Sequence, residues 1–171
     1  MHAETVRKPL PAGELAALWR QLIADPTTPD YFELSAVGEI LVSPRPANRH
    51  QVVITWAASQ LRTQLGDWII VEPSVLTGAG VLVPDLAWLP DLQTAVAETP
   101  LMVVPALVGE VLSPGNRKAE ITGKIAAYLA AGAKEVLIID LDGKVSYHRA
   151  DGEHQSSSMG ATLDPPRFIF D

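Results

Sequence analysis

Apolar residues recur at helical spacing in three segments of the chain. These segments are Gly13–Ala24, Ala47–Leu65 and Asn116–Ala131. Residues three and four positions apart lie on one face of a helix, so each segment can bury one apolar face. Gly66 and Gly132 directly follow the second and third segments, at the position that favours glycine after a helix. The pattern therefore predicts three helices.

Short runs of β-branched and aliphatic residues separate and follow these helices. Such runs, bounded by Gly, Pro, Asn or Asp, are typical of strands. They predict a hairpin of Tyr31–Leu34 and Glu39–Val42, strands at Trp68–Leu76, Val81–Trp88, Ala106–Leu112, Val136–Leu141 and Lys144–Arg149, and a weak edge strand within 151–158. Residues 1–12 are expected to form a flexible lead, and residues 91–101 an irregular polar connection.

The order of these elements predicts an α/β fold with a mixed central β-sheet flanked by helices on both faces. Ala106–Leu112, Asn116–Ala131 and Val136–Leu141 form a βαβ unit, which should be parallel and right-handed. The strands before it should pair as an antiparallel meander. A chain of 171 residues suits one domain better than two. Residues 13–171 are therefore expected to form a single domain.

Composition narrows the function classes. The chain is 47% hydrophobic and 19% charged, which is a globular composition, and it contains no cysteine, so disulfides and thiolate metal sites are excluded. The net charge of −7 argues against a protein that coats nucleic acid non-specifically, but it allows contact at one local patch. No apolar run has the length of a signal peptide core or a membrane span. We expect a cytoplasmic protein that does not contact membranes.

Two acidic residues interrupt segments that otherwise resemble core strands. Asp85 lies within Val83–Ala87, and Glu110 lies within Leu107–Leu112. Burying a lone carboxylate is costly unless it meets a metal, a base or a hydrogen-bond donor. If the two strands are neighbours in register, both carboxylates point to one face and repel each other unless a cation lies between them. Oxygen ligands suit Mg²⁺, so the pair predicts a divalent-cation site.

The helix after Glu110 contributes a lysine. Lys124 and Tyr128 lie on one stripe of this helix, and Glu120 lies one turn before Lys124. A lysine beside a metal-bound water can help to deprotonate the water or stabilise the charge that develops on a phosphate. An ordinary solvated lysine paired with Glu120 explains the spacing equally well.

The order of these motifs resembles the PD-(D/E)XK nuclease superfamily. The matching residues are Pro84-Asp85, a strand ending in Glu110–Pro114, Lys124 and Tyr128. More narrowly, the chain is similar to a bacterial family of restriction-endonuclease-like proteins of unassigned substrate. That family opens with an acidic-glycine hairpin, a Ser-Pro loop and a histidine. The corresponding residues here are Tyr31–Leu34, Gly38–Ile40, Ser43-Pro44 and His50, and the similarity extends from about Tyr31 to His148.

This resemblance implies a Mg²⁺- or Mn²⁺-dependent endonuclease that hydrolyses phosphodiester bonds of nucleic acid, with DNA as the expected substrate. Asp85 and Glu110 would bind the metal, with the carbonyl of Val111 as a further ligand. In the wider superfamily the lysine comes two residues after the second acid, where this chain has Leu112. In the narrower family it lies on the following helix, where Lys124 matches it and would be the catalytic lysine. Further candidates are Glu39 as an extra or water-mediated ligand, His50, Glu120 and Tyr128. Superfamily members often act as dimers, so a homodimer is compatible with the resemblance.

Other interpretations of these residues stay open. Asp85 could cap a turn, Glu110 could pair with an arginine, Glu39 could face water, and His50 could be a surface residue. For the whole chain, the −7 charge and the displaced lysine also fit a catalytically inactive binding or assembly module. A third hypothesis is a metal-dependent hydrolase of small phosphate esters.

Overall fold

The computed structural model describes residues 7–66, 68–91, 93 and 97–171. Within them, the α-helices are α1 (Ala12–Ala24), α2 (Asn48–Leu65) and α3 (Lys118–Ala131), and a short 3-10 helix spans Arg167–Ile169. The strands are β1 (Phe32–Ser35), β2 (Ile40–Val42), β3 (Ile69–Val71), β4 (Val75–Thr77), β5 (Gly80–Leu82), β6 (Leu86–Trp88), β7 (Leu107–Val111), β8 (Glu135–Ile139), β9 (Val145–Arg149) and β10 (Gly152–His154).

The three helices lie where the apolar spacing predicted them, to within two residues at each end. Gly132 ends α3 in the left-handed conformation, with φ of 118°, which costs glycine little because it has no Cβ atom. Its N–H donates to the carbonyls of Leu129 and Tyr128, which would otherwise lack partners at the end of the helix. The position of Tyr128, one turn from this end, is therefore well fixed.

The described strands form two sheets. The larger has the order β10-β9-β8-β7-β6-β3, in which β7 and β8 are parallel and the other neighbours are antiparallel. The smaller has the order β2-β1-β5-β4 and is entirely antiparallel. The α/β class, the mixed sheet and the parallel β7–α3–β8 unit are confirmed. The structure differs from the expectation in dividing the strands between two sheets.

This division comes from two breaks in segments that the pattern predicted as single strands. Trp68–Leu76 is broken into β3 and β4, and Val81–Trp88 into β5 and β6. Pro73 and Pro84 lie in the breaks and cannot donate a backbone hydrogen bond to a neighbouring strand. Glu72 also has a φ of 50°, which turns the chain out of an extended conformation. The chain therefore passes from one sheet to the other at each break.

Helices α2 and α3 cover opposite faces of the six-stranded sheet, as expected. All five residues of β7 are buried. Its residues Leu107 and Val111 pack with apolar side chains of α2, whereas Val108 packs with Ile121 and Tyr128 of α3. Because side chains alternate along a strand, Glu110 lies on the same face as Val108 and points towards α3.

The described part of the predicted flexible lead contacts the small sheet. The backbone N–H of Leu10 donates to the carbonyl of Ala36 over 2.8 Å, and the Leu10 side chain packs against buried residues of α1 and the small sheet. Residues 1–6 lie outside the described residues, as do residues 92 and 94–96 of the predicted polar connection.

Candidate active site

The pairing of β6 with β7 brings the two predicted acids together. Leu86 is the register partner of Gly109 in this antiparallel pair, so Asp85 and Glu110 occupy the next opposed position. Side chains at opposed positions of an antiparallel pair point to the same face. The two carboxylates therefore lie side by side where β7 ends. The expectation that the two segments are neighbours in register is confirmed.

Asp85 is fixed by a backbone hydrogen bond and by a histidine. The Val111 N–H donates to Asp85 Oδ2 over 2.6 Å, so the alternative in which Asp85 merely caps a local turn is wrong. His50 Nε2 lies 3.4 Å from the same carboxylate oxygen and 2.8 Å from the Val111 carbonyl oxygen. The hydrogen bond to Asp85 raises the pKa of His50, against the lowering effect of burial. His50 is part-buried at the site and is not a surface residue.

Glu110 is buried and meets two side chains of α3. Tyr128 donates its hydroxyl to Glu110 Oε1 over 2.8 Å, and Lys124 Nζ lies 3.5 Å from the same oxygen. Burial raises the pKa of Glu110 to about 7, although the charge of Lys124 opposes the shift. The partners of Glu110 are thus a lysine and a tyrosine, and the alternative of an arginine salt bridge is wrong.

Lys124 forms its shortest contact with an acid that the sequence analysis did not select. Its Nζ lies 2.8 Å from Glu33 Oε1, and the side chains of Lys124 and Glu33 are only 16% and 12% exposed. Burial alone would lower the pKa of Lys124, but the charges of Glu110 and Glu33 outweigh it and raise the pKa above its ordinary value. Lys124 is therefore a charged ammonium group and not a solvated lysine paired with Glu120.

Two of the candidate residues lie apart from this cluster. Glu39 is exposed and forms an ion pair with Arg7 at 3.2 Å, so the expectation of Glu39 as an extra ligand is not supported by its position. Glu120 is exposed on the first turn of α3, whereas Lys124 turns inward to Glu33. The hairpin does contribute an acid, but that acid is Glu33.

Glu33 carried a signal that sequence reasoning could have used. It lies within a predicted strand whose other residues are aliphatic or aromatic, and Asp85 and Glu110 likewise lie within strands that are otherwise mostly apolar. In β1 its neighbours Phe32 and Leu34 are buried, and Glu33 is itself 9% exposed. The criterion that selected the other two acids therefore applies equally to this one.

The oxygens at the end of β7 fit a small divalent cation. Among the described residues, no three or more His, Asp or Glu side chains are grouped so as to hold a metal by themselves. Asp85 contacts other described residues through its side-chain oxygen Oδ2, and Glu110 does so through Oε1. The second oxygen of each carboxylate, Oδ1 of Asp85 and Oε2 of Glu110, is therefore available for a bond to a metal. With the Val111 carbonyl, whose oxygen also contacts His50 Nε2 at 2.8 Å and has a second lone pair, this gives three hard oxygen donors. Mg²⁺ commonly binds to few protein oxygens and keeps several waters.

Leu112 occupies the position two residues after Glu110 and packs against the apolar cluster beneath α3. It cannot supply a cation. The positive charge beside Glu110 comes instead from the helix, at Lys124. The structure thus brings together Asp85, Glu110, Val111, Lys124, Tyr128 and His50, six of the eight residues singled out from the sequence, and adds Glu33.

Comparison with known families supports the resemblance on which these candidates rest. Residues 19–169 match the Uma2 family, which is described as "Putative restriction endonuclease". The chain belongs to the Uma2 family. Because the match covers most of the chain, both sheets and all the residues of the cluster lie within the family region. No curated protein sequence matches the chain significantly.

A solved structure shares this Uma2 fold. It is the crystal structure of a protein described as a putative nuclease belonging to DUF820 from Anabaena variabilis ATCC 29413. The two chains superpose with a TM-score of 0.66 over 88% of this chain and 90% of the other, at 19% sequence identity. At this identity the match establishes the fold. Among the described residues, no helix combines the length and apolarity needed to cross a membrane.

Proposed function

We propose that this Uma2 protein is a divalent-metal-dependent nuclease that hydrolyses phosphodiester bonds of nucleic acid, with DNA as the first substrate to test. The observation that carries the proposal is the opposed pair Asp85–Glu110 with Lys124 3.5 Å from Glu110. Membership of a family described as "Putative restriction endonuclease" supports the choice of substrate class. Oxygen ligands that can hold a divalent cation, with a nearby lysine that can stabilise charge on a phosphate, are groups that support such hydrolysis.

Asp85, Glu110 and the Val111 carbonyl would hold Mg²⁺ or Mn²⁺. When bound, the metal would polarise the scissile phosphate and lower the pKa of a water molecule. Tyr128 holds the Glu110 carboxylate through Oε1, and the Val111 N–H holds the Asp85 carboxylate through Oδ2. These two hydrogen bonds fix the orientation of both ligands before substrate arrives, which reduces reorganisation during the reaction.

Lys124 is assigned an electrostatic role. Its Nζ donates a hydrogen bond to Glu33 Oε1 over 2.8 Å, which is the contact of a protonated ammonium group with a carboxylate. A protonated lysine can donate hydrogen bonds to a phosphate oxygen or to the attacking water and can stabilise the charge that develops on phosphate. Of the two roles expected from the sequence, stabilisation of the charge on the phosphate is favoured over deprotonation of the water.

Calorimetric titration with Mn²⁺ tests the proposal, together with assays of duplex DNA, single-stranded RNA and a chromogenic phosphodiester. The double variant Asp85→Ala, Glu110→Ala should lose Mn²⁺ binding and all cleavage. The matched control is Glu39→Ala, Glu120→Ala, which removes two candidate acids that lie outside the cluster. It should bind Mn²⁺ and cleave like the wild type.

The alternatives give different results in the same assays. A wild-type protein that binds no Mn²⁺, with and without a phosphodiester present, and that cleaves no polymer would contradict the proposal and favour an inactive binding module. Hydrolysis of the chromogenic compound without cleavage of DNA or RNA would favour a hydrolase of small phosphate esters.

A further inference from the structure

Glu33 stands apart from the other charged groups of the site because it belongs to the small sheet. Asp85 and Glu110 lie at the ends of β6 and β7 in the large sheet, and Lys124 lies on α3. Glu33 lies in the middle of β1, which pairs with β2 and β5. Its side chain is only 12% exposed, a costly place for a carboxylate without partners. The groups that hydrogen-bond to the Glu33 carboxylate must therefore offset the cost of burying it.

One oxygen of Glu33 binds two different elements. Glu33 Oε1 accepts a hydrogen bond from Lys124 Nζ over 2.8 Å and another from the Val83 N–H over 2.8 Å. Val83 lies in the break between β5 and β6, two residues before Asp85. This single oxygen therefore links the helix that carries the lysine to the segment that carries the first acid.

The distances show which acid holds the lysine. The contact of Lys124 Nζ with Glu33 has hydrogen-bond length, whereas its contact with Glu110 is 0.7 Å longer, at 3.5 Å against 2.8 Å. Charged hydrogen bonds of the shorter kind are the stronger and more directional ones. An ammonium group has three donors, so the bond to Glu33 fixes the group and leaves donors that can face a substrate.

We propose that Glu33 is a positioning residue that holds the Lys124 ammonium group beside Glu110. This inference rests on the proposed nuclease function and adds to it a residue from the second sheet. The competing explanation is that Glu33 only neutralises a buried lysine and contributes to stability. The two explanations differ in whether the effect of Glu33 on turnover passes through Lys124.

A double-mutant cycle on Glu33→Gln and Lys124→Met separates them. Glutamine keeps an acceptor for the Val83 N–H but removes the negative charge. We expect Glu33→Gln to lower kcat about 10- to 100-fold, as displaced catalytic groups do, with KM and Mn²⁺ affinity changed less than about threefold. In the Lys124→Met background, Glu33→Gln should lower kcat no further. An equal loss of kcat in both backgrounds, or no loss in the wild-type background, would overturn the proposal.

A spectroscopic measurement on the metal-free protein is independent of any activity. A buried, hydrogen-bonded ammonium group exchanges its protons slowly enough to give a ¹⁵Nζ–¹H signal, which the Lys124→Met variant would assign by its absence. We expect this signal to be lost in Glu33→Gln and kept in Glu39→Gln, the control on the same hairpin. Persistence of the signal in Glu33→Gln would show that Glu110 alone holds the lysine and would overturn the proposal, even if the protein proved not to be a nuclease.

If Glu33→Gln does not fold, Glu33→Asp provides the same test. It keeps the charge but withdraws the carboxylate by about 1.5 Å, the length of one carbon–carbon bond. We expect the same loss of kcat and of the ammonium signal. A Glu33→Asp variant with wild-type kcat and an unchanged signal would count against the proposal.

Discussion

The Glu110→Gln variant tests how burial of Glu110, the least exposed acid of the site, makes the stability of the protein depend on pH. Burial raises the pKa of Glu110 from an ordinary value near 4.5 to about 7. Between these pH values the folded protein binds a proton at Glu110 that the unfolded chain has released. The free energy of unfolding must therefore fall as pH rises through this interval, because the charged carboxylate is less stable inside the protein than in water.

The size of the effect follows from the interval. One pKa unit corresponds to about 1.4 kcal/mol, so a shift from 4.5 to about 7 corresponds to roughly 3 kcal/mol of unfolding free energy. Glutamine does not titrate and cannot show this dependence. At pH 5 the wild type and Glu110→Gln should have similar stabilities, and at pH 8 the variant should be more stable by roughly 3 kcal/mol. His50, whose raised pKa gives a loss of stability in the same direction as pH rises, is present in both proteins and largely cancels in the comparison.

Urea denaturation followed by tryptophan fluorescence at pH 5, 6, 7 and 8 measures this difference. Glu120→Gln is the control, because the Glu120 side chain is exposed on the same helix whose Lys124 contacts Glu110. It should follow the wild type at every pH. Parallel stability curves for the wild type and Glu110→Gln would refute the reasoning, and so would a difference that grows towards low pH.

Three further substitutions test the contacts around Glu110 and the packing of the strand and helix that flank it. The Tyr128 hydroxyl donates a hydrogen bond to Glu110 and thereby lowers the pKa of Glu110. Tyr128→Phe removes this bond, so the free energy of unfolding should fall by about 1–3 kcal/mol, and the loss measured in denaturant titrations should be larger at pH 8 than at pH 5. An equal loss at the two pH values would contradict this prediction. Gly109→Ala would place a Cβ atom 2.5 Å from the Cδ1 atom of buried Leu86 and should cost about 1–3 kcal/mol in thermal unfolding. Gly123→Ala, in open space on α3, should instead stabilise by about 0.5–1 kcal/mol, and similar shifts for both alanines would rule out the packing explanation.

Local patterns were sufficient for the helices and for two acids of the site. The spacing of apolar residues predicted α2 and α3, because a buried helical face repeats within a few residues. Asp85 and Glu110 were recognisable because a carboxylate in an apolar strand is unusual. Their pairing could be stated only as a condition, since the register of β6 against β7 joins residues far apart in the chain.

The division into two sheets and the role of Glu33 depend on contacts that local patterns do not contain. Pro73 and Pro84 indicate that two strands are interrupted, but an interruption alone does not predict that the next strand belongs to a different sheet. The resemblance singled out Glu39, next to the glycine turn, and did not single out Glu33. Glu33 is the hairpin acid that joins the site because β5 pairs antiparallel with β1 and brings the Val83 N–H to the Glu33 carboxylate. The Val83 N–H lies 50 positions away in the sequence.

The ion pairs at the end of β7 have a consequence for how the protein is made in a cell. Lys124 lies between Glu33 and Glu110, and His50 lies beside Asp85, so each of the three acids of the site has a lysine or histidine partner within the chain. In zinc fingers, by contrast, the ligands stay disordered until the metal arrives, and folding waits for it. We therefore expect this chain to fold without a divalent cation, and a chelator should leave the protein folded. Under the proposed function, the supply of metal would control when the protein acts on its substrate, while the amount of folded protein would stay the same.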